Sequence, residues 1–181
     1  MCYILLFGMP INRKDTRLPP EFYRGQRYHF VTICCDRRKP YLGERATAQS
    51  VLATLEQCAA KRSFQLHAYC LMPDHVHLLV QGMSAPCDLL EFIRVFKLRT
   101  AFEFKKSHGA RLWEKSYYDH TLRQADAIED VASYIWQNPV RKKLCAFPSD
   151  FPFSGSRTIE WMRRAASESS WSAPWKGKAP I

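Results

Sequence analysis

Hydrophobic positions crowd residues 27–35 (RYHFVTICC), which are rich in aromatic and β-branched side chains, and this composition predicts a first strand. A charged turn, DRRKPY, follows it. Residues 45–62 (RATAQSVLATLEQCAAKR) change to a helical period, with Val51, Leu52, Leu55, Cys58 and Ala59 on one face. Residues 65–72 predict a second strand, Pro73-Asp74 a tight turn and residues 75–81 a third strand, so the pair reads as a hairpin. After a loop at 82–86, Asp88 is placed to cap a long helix over 89–107, whose apolar positions include Leu89, Leu90, Ile93, Phe96, Leu98 and Phe102. Residues 111–123 contain a fourth strand, and Asp126 is placed to cap a further helix that runs through Tyr134. Residues 146–162 read as loop, and no internal repeat is present. The order β-α-β-β-α-β followed by a helix predicts an α+β fold. It is a ferredoxin-like split βαβ antiparallel sheet with helices on one face, plus a C-terminal helix bearing Tyr134. Three segments result: a basic arm at 1–26, one domain at 27–160, and a tail at 161–181 whose Ser, Ala, Pro and Lys content predicts mobility.

Charge changes this picture more than composition does. Hydrophobic content of 46% and charged content of 24% over 181 residues are ordinary for one globular domain. A net charge of +10, from 27 Lys and Arg against 17 acids, points to a polyanionic partner, most simply nucleic acid. The long helix carries Arg94, Lys97, Arg99, Lys105 and Lys106 against only Glu91 and Glu103, which favours a phosphate-facing surface over a merely solvated one. Arg141-Lys142-Lys143 forms a second basic cluster, and Arg13, Lys14, Arg17 and Arg24 make the arm either a contact for a nucleic-acid backbone or groove or a disordered leader. Seven cysteines, an odd number without C-x-x-C spacing, fit neither a disulfide framework nor a structural zinc motif and predict reduced thiols in the cytosol. The apolar run at 2–9 is too short to span a bilayer and lacks a basic leader region, and Met9 is an alternative start. No membrane association is expected.

The candidate chemistry lies in two stretches. In PDHVHLLV, His75 and His77 stand at i and i+2, so on a strand their imidazoles share one face while Val76 enters a core on the other. A histidine pair alone recurs by chance, and two imidazoles leave a first-row metal short of ligands. In DVASYIWQNPV, a helical reading puts Tyr134 and Asn138 at i and i+4 on one face. The Asn138 amide oxygen is then a candidate third ligand, and a mixed imidazole and oxygen site suits Mg²⁺ or Mn²⁺ better than structural Zn²⁺. The Tyr134 phenol, with a reference pKa near 10, needs assistance to act as a nucleophile. Packing for Tyr134 and helix termination for Asn138 are the competing roles, and Tyr117 and Tyr118 are rival nucleophiles.

These residues carry a resemblance. YCLMPDHVHLLV resembles the histidine-hydrophobe-histidine (HUH) motif of the single-tyrosine transposases of small insertion sequences, and ASYIWQNPVRKKL resembles their tyrosine helix. LWEKSYYDHTLR and LPPEFYRGQRYHFVTICCDRR resemble one branch, the REP-associated tyrosine transposases, which act on repetitive extragenic palindromes in bacteria. The resemblance runs from about residue 17 to 155. It implies metal-dependent cleavage and rejoining of single-stranded DNA at hairpins, with Tyr134 forming a 5′-phosphotyrosine link and releasing a 3′-OH. It implies that His75 and His77 hold a divalent ion, Mg²⁺ or Mn²⁺, and that Asn138 corresponds to a third ligand that is often Gln in related enzymes. No nucleotide cofactor is implied, because the covalent link conserves bond energy. Arg94, Lys97, Arg141 and Lys142 would grip phosphates, and exposed aromatics would stack on unpaired bases. A monomer with its own complete site, in the bacterial cytoplasm and associated with the nucleoid, is further implied, with a dimer that exchanges site residues, as in related enzymes, as the alternative. Three other readings are a hairpin-binding protein that no longer cuts, a nuclease using water, and a basic RNA-binding domain. The last would need an RNP aromatic motif that the chain lacks.

Overall fold

The computed structural model describes residues 18–123, 126–160, 169 and 171–174. The first 17 residues, with most of the expected arm, and most of the tail lie outside them. The sheet is assembled from β1 (Tyr28–Cys34), β2 (Phe64–Met72), β3 (His75–Gly82), β4 (Tyr118–Thr121) and β5 (Ser154–Gly155), in the spatial order β4-β1-β3-β2-β5. Every pairing is antiparallel. The first four strands, with α1 (Arg45–Lys61) after β1 and α2 (Leu89–His108) after β3, form the predicted split βαβ.

Side-chain alternation divides the sheet into two buried faces. Val31, Ile33, Val76, Leu78 and Val80 face α1 and α2, together with Val51, Leu55, Phe92, Ile93 and Phe96. Phe30, Ala68, Cys70, Met72 and Leu79 point the other way and pack under α3 (Ile128–Trp136) with Val131, Ile135 and Trp136. The helices therefore lie as expected, with α1 and α2 on one face and the tyrosine-bearing helix on the opposite one. With both faces covered, six of the seven β1 residues are buried. A bulge between Leu66 and Ala68 resets the alternation of β2. It turns Ala68 and Cys70 toward α3, and these small side chains admit the large Trp136.

Several local expectations needed correction. Asp88 does cap α2, accepting the Glu91 N–H at 3.2 Å, and Gly109 ends it in the left-handed region at φ 63°. Leu98 and Phe102, however, are 61% and 58% exposed, and the buried stripe is Leu89, Phe92, Ile93, Phe96, Thr100 and Phe104. Asp126 does not cap α3, whose N-cap is Ala127 without a side-chain bond. Its carboxylate instead accepts the Arg123 N–H at 2.8 Å and the Trp171 indole N–H at 3.1 Å. The loop at 146–162 contributes β5, where Ser154 and Gly155 pair with Cys70 and Tyr69. A Cβ at 155 would lie 2.8 Å from the Tyr69 hydroxyl, so any larger residue there must displace the tyrosine ring. Of the tail at 161–181 only residues 169 and 171–174 are described, and there Trp171 and Ala173 pack with the α3-side core. All six described cysteines are free. No helix among the described residues is long and apolar enough to cross a membrane.

Candidate active site

Cross-strand register brings the functional side chains together. His75 and His77 lie on β3, on the α3 face, and His77 pairs with Thr32 of β1 and Cys70 of β2. Both histidines are buried, and their Nε2 atoms approach to 3.0 Å. His75 Nδ1 lies 2.6 Å from Asp74 Oδ1, and His77 Nδ1 lies 2.7 Å from Thr32 Oγ1. The hydrogen bond from His75, reinforced by the Arg38 charge, holds the Asp74 carboxyl below its ordinary range despite partial burial. Two imidazole nitrogens converging on one point, with the other two nitrogens already bonded, is a donor set that fits a divalent cation. Among the described residues no group of three His, Cys, Asp or Glu side chains could hold a metal.

The Tyr134 ring sits over this pair. Its centroid is 6.3 Å from that of His77, and Phe30 wedges beside both, stacked on His77 at 5.6 Å and edge-on to Tyr134 at 5.9 Å. Trp171 meets both Phe30 and the tyrosine edge-on, at 5.1 and 5.0 Å, and Tyr134 is only 4% exposed. The position of the ring follows from where the helix breaks. Pro139 has no N–H to give the Ile135 carbonyl, so α3 ends at Trp136 and a short α4 (Asn138–Arg141) starts after Gln137. Asn138 Nδ2 fills the gap, donating to Tyr134 O at 2.9 Å and Ile135 O at 3.2 Å. Asn138 is thus buried just beyond the helix that carries Tyr134, with its amide nitrogen committed to the helix end and its oxygen outside those bonds.

The predicted phosphate-gripping residues are dispersed. Arg141 donates to Tyr134 O at 2.6 Å, and its guanidinium lies over the Tyr134 ring at 4.5 Å, so it houses the tyrosine. Lys142 is exposed beside it. Arg94 and Lys97 lie on α2, across the sheet from the histidines, in an open groove of about 590 Å³ lined also by Arg111, Trp113, Lys115 and Tyr117. Arg94 is paired with Glu91 at 2.6 Å, and Lys97 Nζ donates to the carbonyls of Glu114 and Lys115. The rival Tyr118 pairs with Thr32 on β4, so it stands on the histidine face of the sheet and is 40% exposed. Sequence reasoning did not single out Asp74, Thr32, Phe30 or Trp171. Asp74 adjoins the histidine motif and could have been found there, whereas Thr32 and Phe30 become visible only with the register.

A split βαβ sheet whose paired histidines lie under a tyrosine-bearing helix has the architecture of the single-tyrosine transposase class. The family model described as "Transposase IS200 like" matches residues 23–138, and the chain belongs to that family. The REP-associated tyrosine transposase of Escherichia coli is 26% identical over 134 residues, covering 74% of this chain and 78% of that protein. A Haemophilus influenzae protein provisionally given the same name is 26% identical over 147 residues, covering 74% of this chain and 81% of its own. Among solved structures, a REP-associated tyrosine transposase bound to a REP hairpin superposes with a TM-score of 0.65 at 21% identity, covering 83% of this chain and 88% of that one. This likeness is one of fold.

Proposed function

We propose that this transposase cuts and rejoins single-stranded DNA at folded palindromic hairpins, with Tyr134 as nucleophile. The observation that carries the reading is the buried Tyr134 ring 6.3 Å from His77, whose Nε2 faces that of His75 at 3.0 Å. The Tyr134 oxygen bonds to the scissile phosphorus as its hydroxyl proton leaves, and the phosphorus–O3′ bond breaks. The departing O3′ takes up a proton to become a free 3′-OH, and the strand remains joined to the protein as a 5′-phosphotyrosine. Attack by another 3′-OH runs the same exchange in reverse and rejoins DNA without external energy. His75 and His77 through Nε2, with the Asn138 amide oxygen, would hold a divalent cation of the Mg²⁺ or Mn²⁺ type, which supplies polarisation of the phosphate and neutralises charge at the leaving oxygen. Phe30 and Trp171 pack against the tyrosine and keep water from competing for the covalent intermediate. Arg141, over the Tyr134 ring, and the adjacent exposed Lys142 serve the flanking phosphates, while Arg94 and Lys97 serve DNA lying across the α2 face. The two identical-named relatives and the hairpin-bound structure support a palindromic substrate.

The test is incubation of purified protein with Mg²⁺ or Mn²⁺ and a labelled single-stranded hairpin from the flanks of its own gene, resolved on a denaturing gel. Wild type should give a cation-dependent adduct and Tyr134→Phe none. Cleavage by both proteins would move the nucleophile to water or another residue, and hairpin binding with no adduct on any flanking hairpin would leave a binding protein.

A further inference from the structure

The two histidines are bonded from behind by groups of different chemistry. Asp74, as a carboxylate, can only accept. Its 2.6 Å contact to His75 Nδ1 therefore places the His75 proton on Nδ1 and leaves a lone pair on Nε2. His77 Nε2, 3.0 Å away, must then donate a proton to that lone pair when no cation is present. Its Nδ1 accepts from the Thr32 hydroxyl at 2.7 Å. A hydroxyl can also accept. If the proton of His77 passes from Nε2 to Nδ1, Thr32 rotates from donor to acceptor, and both Nε2 lone pairs face one point with no net proton lost.

Asp74 is itself held by a turn that two otherwise unexplained motifs build. Its second oxygen lies 3.2 Å from Arg38 Nη1. Arg37 and Arg38 both adopt left-handed backbone, at φ 53° and 55°, which is unfavourable for residues with a Cβ and persists only where neighbours impose it. Glu114 Oε1 accepts the Arg37 N–H at 2.8 Å, Leu112 O accepts the Asp36 N–H at 2.8 Å, and Asp74 O accepts the Cys35 N–H at 2.8 Å. The stretches CCDRR and LWE thus converge on one carboxylate.

We propose that Asp74 and Thr32 are positioning residues that give the histidine pair unequal freedom: Asp74 locks His75 in the tautomer with a free Nε2, and Thr32 lets His77 switch into it when a divalent cation arrives. Arg38 and Glu114 act one step further out by fixing Asp74. This rests on reading the pair as a cation site.

The experiment is long-range ¹H–¹⁵N NMR of the full ¹⁵N-labelled protein, first without divalent cation and then with Mg²⁺, alongside Mn²⁺ affinity by electron paramagnetic resonance. In wild type, His75 should carry its proton on Nδ1 throughout, and His77 should move from the Nε2–H to the Nδ1–H form with Mg²⁺. Asp74→Ala should turn His75 into a tautomer mixture and weaken Mn²⁺ about 10- to 100-fold, the usual effect of losing an outer-shell partner of a ligating histidine. Thr32→Val should block the His77 switch, and Thr32→Ser, which keeps the hydroxyl, should restore it. Glu114→Gln keeps an acceptor for Arg37 and should leave both histidines unchanged, whereas Glu114→Ala should show a weaker form of the Asp74→Ala pattern. A His75 proton on Nε2 in wild type, or an Asp74→Ala protein that folds with unchanged tautomers and affinity, would overturn the proposal. Wild type that takes no Mn²⁺ would refute the cation reading and the His77 switch, while the cation-free tautomer of His75 would still decide the role of Asp74.

Discussion

Replacing His29 should remove a defined part of the protein's acid sensitivity. This imidazole lies fully buried on β1, with Nδ1 3.1 Å from Thr121 Oγ1 and Nε2 without a hydrogen-bond partner among the described residues. Burial first, and then the nearby Arg27 and His120 charges, lower its pKa from 6.5 to about 4. In the unfolded chain the ring binds a proton as the pH falls below 6.5, whereas in the fold it stays neutral until about pH 4. Its stabilising contribution is therefore complete above the unfolded value and is lost as the pH drops through that window. The whole difference amounts to roughly 3 kcal/mol, of which about 2 kcal/mol falls between pH 7 and pH 5. For a domain of this size that is a Tm change of about 4–8 °C. Urea melts of wild type and His29→Phe at pH 7 and pH 5 isolate the effect. The variant's lost bond to Thr121 is a pH-independent offset, and the other titrating groups, including the similarly depressed His67, are common to both proteins. The variant should lose about 2 kcal/mol less than wild type on acidification. Equal losses in the two proteins would refute the argument that His29 is kept neutral by its burial.

Other outcomes follow from the same geometry. Asn138→Ala removes two side-chain bonds to the end of α3. It should lower stability by about 1–2 kcal/mol in urea melts and abolish adduct formation on the denaturing gel. Tyr117→Phe and Tyr118→Phe should form the covalent adduct at the wild-type rate, since the Phe30, His77 and Trp171 contacts enclose Tyr134, whereas Tyr117 lines the α2 groove and Tyr118 is 40% exposed. Leu98→Ser and Phe102→Ser, at sites 61% and 58% exposed, should each change stability by no more than about 0.5 kcal/mol in the same melts.

What the sequence revealed was what periodicity and local chemistry encode. Alternation placed His75 and His77 on one face and Val76 in the opposite core, and the element order gave the split βαβ arrangement that the strand order β4-β1-β3-β2 realises. The Asp88 cap was readable because a cap is a local bond. Features that depend on long-range register were not readable. Thr32 meets His77 across 45 residues of chain, and nothing local to either marks the partnership. The bulge at Leu66 and Ala68 resets one strand without a glycine or proline to announce it. β5 has two residues and therefore no period. Trp171 and Ala173 are isolated apolar residues in a polar tail, and their burial depends on the gap beside α3. Leu98 and Phe102 misled because hydrophobic residues also occur on exposed helix faces.

Peptide mapping of the covalent complex goes straight to the central claim, because it reads out which residue carries the DNA. The protein is trapped on a hairpin with Mn²⁺, digested with nuclease and protease, and sequenced by tandem mass spectrometry. A 5′-nucleotide attached through phosphate to Tyr134 is the predicted result. The same modification on Tyr117 or Tyr118, with Tyr134 unmodified, would contradict the assignment of the nucleophile and the role given to the helix that carries it.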